Sequence, residues 1–333
     1  MKSRSIDIDV EPQKVWDALT TVGMQHWYFA LEAEGPFEPG AHVRWVVPKG
    51  PPAEEGEVVA VEAPSRLEMR TRLLFEQKLA EQPPHTTVWK ITPKGSGSGV
   101  TMSWEAGPVI DRLLEAEADN VLRGLRLEVD PAARKELERL PEIGQVEILD
   151  VTPERLADYQ HYFDDVAFRD FPAWQSCYCM ETHRTQDDDE WAQRTAADNR
   201  QDMSAMIGRR EVTALLAYVD GQPVGWCNYG ETTHLAGVMQ KLKLDAADHE
   251  GVGSVSCFVI AAPYRGHGVA TKLLDVAIER LRARGLRSVE SYPRKGDDAR
   301  DQAHYRGSLG MYRKAGFEPY RETDRYYVMR KQL

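Results

Sequence analysis

The sequence contains little cysteine and is short of positive charge. Its four cysteines all lie in the second half of the 333 residues, at Cys177, Cys179, Cys227 and Cys257. Two of them fall in apparent strands, so a disulfide scaffold is not expected. The 42 Lys and Arg residues against 53 Asp and Glu give a formal charge of -11. This balance argues against nucleic acid or an anionic membrane as a partner and favours attraction of a cationic amine.

A long apolar run is also missing near residue 1. Met1–Arg4 leads into alternating Ile6, Ile8 and Val10 rather than into a continuous apolar segment. Neither a signal peptide nor a membrane-spanning helix is therefore expected, and we expect a cytoplasmic protein. With 42% hydrophobic and 29% charged residues the composition is that of a globular protein, and the length indicates two domains.

Two common phosphate-binding motifs are absent as well, since no glycine loop ends in Gly-Lys-Ser/Thr and no full Gly-x-Gly-x-x-Gly occurs. A shorter glycine motif, Arg265–Ala270, instead joins an apolar strand to a periodic helix predicted over 269–281. Gly266 and Gly268 let a diphosphate approach the backbone, and the N–H groups of the helix start face it. The motif predicts a pyrophosphate-binding loop; the alternative is a tight turn without a ligand.

A second motif, Met311-Tyr312-Arg313-Lys314-Ala315-Gly316-Phe317, follows this loop further along the chain. Together with Arg-x-x-Gly-x-Ala after a strand, it closely resembles the GCN5-related N-acetyltransferases (GNAT). The order of predicted elements from about residue 145 to the end is similar to that family. The resemblance implies an N-acetyltransferase that uses acetyl-CoA as cosubstrate and acetylates an amine, which we expect to belong to a small molecule.

The GNAT resemblance also implies cofactor contacts and a catalytic acid. Main-chain groups of Phe258, Val259 and Ile260 would pair with the pantetheine amides. Tyr312 matches the family tyrosine that donates a proton to the CoA sulfur, which suits a phenol of ordinary pKa, about 10; the alternative is that Tyr312 only packs. The pyrophosphate would be held by the loop and the first helical turn, formed by Arg265, Gly266, His267, Gly268, Val269, Ala270 and Thr271.

The general base is marked less clearly by the sequence. Glu290, on a strand beside the expected cleft, is the predicted base, with Glu231 and Asp248 as alternatives from the segment that follows Tyr229. Many members of the family carry an asparagine seven positions before the tyrosine, and here Tyr305 replaces it.

A metal site is not predicted. Cys177 and Cys179, together with His183, would supply three zinc ligands, but no fourth ligand follows at a suitable spacing. Small buried thiols are the commoner use of such cysteines.

The first part of the chain follows a different plan. Strand candidates separated by Pro and Gly turns precede an amphipathic helix predicted over 109–127. They cover residues 41–47, 56–62, 66–74, 86–91 and 100–105. The charged, proline-bracketed stretch from Asp130 to Gly144 marks the boundary. We therefore predict domains at 1–142 and 143–333.

The segments Pro12–Leu19, His26-Trp27-Tyr28, Phe37–Gly40 and Gly56–Val61 resemble the START-like helix-grip superfamily (SRPBCC). The resemblance covers roughly the first 130 residues. It implies an antiparallel sheet gripping a long helix around a cavity for a hydrophobic small molecule; the alternative is that the aromatic rings simply fill the core.

The two resemblances together predict an α+β protein, with a helix-grip antiparallel sheet and long helix followed by a GNAT mixed-sheet domain. The alternative function is a CoA- and ligand-binding sensor or carrier without turnover. The sequence leaves the oligomeric state open, with a homodimer as one option.

Overall fold

The computed structural model describes residues 1–185, 190–191, 194–296 and 304–333. The chain forms two compact units. The first contains residues 1–137 with 170–176 and the described part of 187–197, and the second contains the described remainder from Glu138 onward. The main division falls between Leu137 and Glu138, ahead of the predicted division between 142 and 143, and two short later segments return to the first unit.

An antiparallel sheet in the order β1-β8-β7-β6-β5-β4-β3-β2 forms the first unit. Its strands are β1 (Lys2–Ile8), β2 (Gly23–Gln25), β3 (Leu31–Glu34), β4 (His42–Val46), β5 (Pro52–Glu62), β6 (Arg66–Leu73), β7 (His85–Lys94) and β8 (Gly97–Glu105). Its helices are α1 (Pro12–Leu19), α2 (Gln77–Ala80), α3 (Pro108–Val129) and α4 (Pro131–Lys135). The glycine- and serine-rich run Gly95–Gly99 is typical of a hairpin turn, and it supplies the β7–β8 turn and the first residues of β8.

The long helix α3 supplies the apolar face that the sheet covers. Its buried residues include Ala118, Val121, Leu122 and Leu125, which recur at helical spacing and join the sheet's inward-facing side chains in one core. The predicted helix-grip arrangement is thus confirmed. The charged stretch after α3 is not a simple linker, because Asp130 caps α4 by accepting the N–H groups of residues 132 and 133.

A mixed sheet in the order β14-β15-β13-β12-β11-β10-β9 forms the second unit. Its strands are β9 (Val146–Asp150), β10 (Ala214–Val219), β11 (Gln222–Glu231), β12 (Val252–Ile260), β13 (Ser288–Ser291), β14 (Glu318–Glu322) and β15 (Tyr327–Gln332). Within it β12 and β13 run parallel, and the other pairs are antiparallel. The predicted α+β class is confirmed.

Helices α5 (Leu156–His161), α6 (Ala196–Gly208), α7 (Ala236–Leu242), α8 (Val269–Ala283) and α9 (Leu309–Lys314) accompany this sheet. Shorter turns are 3-10 helices at Pro153–Arg155, Pro172–Cys177, Met180–Thr182, Thr232–His234, Ala247–His249 and Ala262–Tyr264, and a π-helix at Tyr162–Val166. The sequence also predicts a helix that begins at Asp187 and reaches Met206; its predicted start lies outside the described residues. Every helix within the described ranges is too short or too polar to cross a lipid bilayer.

Candidate active site

The parallel pair β12 and β13 separates halfway along β12. The two strands pair only from Val252 to Val255, opposite Ser288 to Ser291, whereas β12 continues to Ile260 while paired to β11 on its other side. From Ser256 onward, one edge of β12 is therefore released from β13. An edge of this kind can pair with an extended chain that carries amides.

The predicted pantetheine contacts lie on this half of β12, and each already has a partner within the chain. Phe258 N–H donates to the carbonyl oxygen of Tyr305 at 2.6 Å. The carbonyl of Val259 accepts the Tyr162 hydroxyl at 2.6 Å. The carbonyl of Ile260 accepts from Arg265 Nε at 2.9 Å. A ligand amide at Phe258 must displace the Tyr305 carbonyl, so the three assignments stay predictions.

The glycine loop has the geometry that an anion needs. Gly266 and Gly268 have φ values of 76° and 77°, which other residues rarely adopt. Gly268 is the N-cap of α8 and brings no capping side chain. The amides of residues 269–271 precede the first intrahelical bond, from Lys272 N–H to the Gly268 carbonyl at 3.0 Å. A Cβ at Gly268 would have no heavy atom within 4 Å, so the space beside this N-cap residue is open. The loop thus fits a diphosphate.

Arg139 is a site residue that the sequence did not reveal. Its Nη2 donates to the Gly266 carbonyl at 3.0 Å, and a Cβ at Gly266 would lie 2.7 Å from its Cζ atom. Next to it, the Leu140 carbonyl accepts from His267 Nε2 at 2.8 Å. These residues are 127 positions apart in sequence, so no local motif could show the contact. Arg139 brings a guanidinium charge to the loop, and His267 is tied to the backbone.

Tyr312 is fully buried on α9. Its hydroxyl donates to the Arg306 carbonyl at 2.7 Å, and its ring meets Phe317 edge-on at 5.1 Å. Burial raises the pKa of Tyr312 well above its ordinary value, so the phenol keeps the proton that an acid must supply. The acid role of Tyr312 stays a prediction beside its observed packing role.

Glu290 is also fully buried, but in an ion pair. Arg330 Nε and Nη2 donate to Glu290 Oε1 at 2.9 and 2.6 Å. Its Oε2 accepts the Tyr292 hydroxyl at 3.2 Å and lies 3.3 Å from His249 Nε2. A base must reach an incoming amine, and these contacts count against Glu290 in that role. The alternatives Glu231 and Asp248 are more exposed.

A polar cluster that no motif predicted lies beside the released edge. Arg306, 1% exposed, places its Cζ 5.2 Å from the ring centroids of both Tyr305 and Tyr326. Its Nη2 is 3.6 Å from Glu181 Oε2, and Glu181 also contacts Lys241. Burial acts to raise the pKa of Tyr326, but the hydrogen bond with Tyr305 and the Arg306 charge hold it below its ordinary value. The cluster thus brings Tyr326 and Glu181 together around the Arg306 guanidinium.

The cysteines and His183 make other contacts. Burial raises the pKa of Cys177 to about 12, which suits an unreactive thiol. His183 Nε2 accepts from Asn228 Nδ2 at 2.7 Å, and burial lowers the His183 pKa to about 4. Across the described ranges, no three His, Cys, Asp or Glu side chains are placed to hold a metal ion together.

Two family models match the chain, one for each unit. The acetyltransferase (GNAT) family model matches residues 168–317, and the polyketide cyclase / dehydrase and lipid transport model matches residues 3–142. The chain thus carries a GNAT acetyltransferase domain behind a START-like domain, and the predicted domain identities and order are confirmed.

Solved structures are similar to parts of the chain at low identity. The PaiA N-acetyltransferase of Thermoplasma acidophilum in complex with coenzyme A is 14% identical over 57% of this chain and 99% of that one, with a TM-score of 0.37. A GNAT-family acetyltransferase of Streptococcus pneumoniae is 20% identical over 57% and 100%, with a TM-score of 0.34. CalU16 of Micromonospora echinospora is 14% identical over 40% and 78%, with a TM-score of 0.32. No curated protein matches the chain.

Proposed function

We propose that the second unit transfers an acetyl group from acetyl-CoA to the amine of a small molecule, and that the first unit binds a hydrophobic small molecule. The observation that carries the first part is the glycine loop at the start of α8, placed at the end of the released β12 edge. The GNAT domain match supports acetyl transfer as the reaction type.

The cofactor would be held mainly by backbone groups. The amides of residues 269–271, at the positive end of the α8 dipole, bind the diphosphate. The Arg139 guanidinium adds a charge beside the same loop. The pantetheine amides pair with β12 at Phe258 once the Tyr305 carbonyl moves aside.

The reaction requires a neutral amine and two proton transfers. The amine nitrogen attacks the thioester carbonyl, the new C–N bond forms, and the C–S bond breaks with the electron pair leaving on sulfur. A base takes the proton from nitrogen, and we propose Tyr326 or Glu181 from the cluster around Arg306 as this base. Tyr312, protonated at neutral pH, is the proposed donor to the sulfur. The net charge of -11 favours the approach of a cationic amine.

A second candidate function is a CoA-binding sensor that does not turn over. It is favoured by the internal bonds of Phe258 N–H and of the Tyr312 hydroxyl, which leave these two groups satisfied without a substrate.

The test is to incubate the full chain with acetyl-CoA and a panel of amines, and to measure released thiol and the mass of the product. We expect thiol release above background with at least one amine, together with its acetylated product. Binding of acetyl-CoA by calorimetry without thiol release across the panel would favour the sensor. Absence of acetyl-CoA binding would contradict both functions.

A further inference from the structure

Residues 305–307 lie along the released edge of β12, and we call them the strap. Phe258 N–H donates to the Tyr305 carbonyl at 2.6 Å. Arg306 Nη1 donates to the Ser256 carbonyl at 3.3 Å. The strap therefore occupies a donor and an acceptor on the part of β12 that is proposed to pair with the pantetheine amides.

A buried guanidinium anchors the strap. Arg306 is 1% exposed, and its Cζ lies 5.2 Å from the ring centroids of Tyr305 and Tyr326. Its Nε donates to the Tyr305 hydroxyl at 3.2 Å, and its Nη2 is 3.6 Å from Glu181 Oε2. A buried charge is stable only where it has such partners, so these contacts hold the strap in one position.

The strap also holds the proposed proton donor. The Arg306 carbonyl accepts from the Tyr312 hydroxyl at 2.7 Å. Gly307 follows with a φ of 79°, and a Cβ at this position would lie 2.6 Å from the Tyr312 hydroxyl oxygen. Only glycine lets the strap approach Tyr312 this closely. While the bond lasts, the Tyr312 proton points to a carbonyl of the chain and not to a thiolate.

We propose that the strap is an autoinhibitory segment, which competes with acetyl-CoA for β12 and releases Tyr312 when the cosubstrate displaces it. The proposal rests on the acetyl transfer proposed above and adds its regulation. A backbone N–H supplies one donor, so the Tyr305 carbonyl and a pantetheine carbonyl compete for Phe258. The apparent affinity for acetyl-CoA is then the intrinsic affinity reduced by the fraction of molecules whose strap is displaced.

Displacement of the strap links binding to the acid step. When the Arg306 carbonyl moves away, the Tyr312 hydroxyl loses its partner and becomes free to donate to the sulfur that leaves in the transfer. The proton donor is thus available only while the cosubstrate occupies β12.

The test is calorimetric titration of acetyl-CoA into the full chain and into Arg306→Met, which removes the anchor. Glu181 keeps Lys241 as a partner in this variant. We expect Arg306→Met to bind acetyl-CoA about tenfold more tightly than wild type. Lys241→Met is the matched control, because it removes the other cation beside Glu181 and leaves the strap bonds in place. It should bind with wild-type affinity.

A second variant loosens the strap without removing a charge. Gly307→Ala adds a Cβ that collides with the Tyr312 oxygen. Gly316→Ala, at the other end of α9, is its control, because φ is 81° there and the nearest heavy atom to a Cβ is Lys331 Nζ at 3.5 Å. We expect Gly307→Ala to bind acetyl-CoA about threefold to tenfold more tightly than Gly316→Ala. This pair carries the test if Arg306→Met does not fold.

Hydrogen exchange gives a readout that is independent of affinity. Peptides that cover the strap should exchange faster when wild type is saturated with acetyl-CoA, because the displaced backbone loses its contacts. A ligand that bound without displacing the strap would leave this exchange unchanged or slow it.

Three outcomes separate the strap from acetyl transfer. Equal or weaker binding of acetyl-CoA by folded Arg306→Met and Gly307→Ala, relative to their controls, would overturn the autoinhibitory role and leave the proposed transfer in place. Unchanged or slower exchange in the strap would do the same. Absence of acetyl-CoA binding in wild type and in both variants would overturn the strap and the proposed transfer together.

Discussion

Two buried glutamates, one in each unit, show how different these sites are. Glu54 is 6% exposed and Glu290 is fully buried. Glu290 accepts two hydrogen bonds from the Arg330 guanidinium, whereas Glu54 accepts one from the neutral Tyr28 hydroxyl. Burial raises the pKa of Glu54 to about 7 despite this bond. Both carboxyl groups are buried, and they differ in the charge of the neighbouring group. Glu290 forms an ion pair with a cation inside the sheet, whereas Glu54 lies beside a neutral group on a cavity wall.

The largest expected effect tests whether Glu290 is an ion-pair partner or the base. Glu290→Gln leaves the Arg330 charge without its counter-charge, so we expect the free energy of unfolding to fall by about 3–5 kcal/mol, as measured by urea denaturation. Arg330→Gln should cost a similar amount. Glu322→Gln, at an exposed ion pair with Lys295, should cost less than about 1 kcal/mol. Unchanged stability of Glu290→Gln with lost turnover would restore Glu290 as the base.

The next effect concerns the pH dependence of stability at Glu54. Its pKa rises from 4.5 to about 7 on folding, so the folded state binds more protons between these values. The contribution of Glu54 to the free energy of unfolding is fully present below pH 4.5 and is lost as the pH rises through 7. Gln does not titrate. We therefore expect the free energy of unfolding of Glu54→Gln, relative to that of wild type, to rise by about 3 kcal/mol between pH 4.5 and pH 8. A constant difference across this range would show that Glu54 is not buried as described.

His85 should show the opposite dependence. Burial lowers its pKa from 6.5 to about 4. The contribution of His85 to the free energy of unfolding is therefore fully present above pH 6.5 and is lost as the pH falls through 4. The free energies of unfolding of His85→Leu and wild type should therefore converge, or cross, as the pH falls. If the variant instead becomes less stable relative to wild type as the pH falls, His85 is not neutral in the folded protein.

Tyr312→Phe asks whether the buried phenol of the second unit acts in catalysis. We expect turnover on a verified amine to fall about 10²-fold or more, with acetyl-CoA affinity little changed, because the variant removes the proton donor and keeps the ring. Tyr229→Phe removes another buried phenol, which donates to Asp150 at 3.3 Å, and should leave turnover near wild type. Wild-type turnover of Tyr312→Phe would assign Tyr312 to packing.

Arg139→Ala should give the smallest effect. Loss of the guanidinium beside the glycine loop is expected to weaken acetyl-CoA binding about threefold to tenfold, more at low salt than at high salt. Arg134→Ala removes the same charge from α4 and serves as the control. Equal affinities for the two variants would remove Arg139 from the cofactor site.

Local features of these sites could be predicted from the sequence. The strand β12 and the start of α8 lie where apolar periodicity placed them, because each is set by neighbours in sequence. The short strands β2 and β3 were missed, since three or four residues give too little alternation to recognise.

Contacts between distant segments could not be predicted. Arg139 reaches Gly266 across 127 positions, and Arg306 meets Glu181 and Tyr326 from separate elements. The same holds for Glu290: its role as the base stays a prediction, and its contact with Arg330, 40 positions away, has no local signal in the sequence. The hydrogen-bond and ion-pair partners of these residues set what their side chains can do, and those partners come from distant parts of the sequence.

We propose that the loop before α8 holds the cofactor diphosphate. Calorimetric titration of acetyl-CoA into Gly268→Glu, with Gly285→Glu as control, tests it most directly. Both glycines have positive φ, 77° and 80°, and open space at the Cβ position. They lie at opposite ends of the same helix, so backbone strain is matched and only the position of the new charge differs.

We expect Gly268→Glu to bind acetyl-CoA at least about tenfold more weakly than wild type, a difference of about 1.4 kcal/mol, because bulk and negative charge enter the diphosphate position. Gly285→Glu should bind acetyl-CoA as wild type does. Equal affinities of the two folded variants would contradict the cofactor site proposed for this protein.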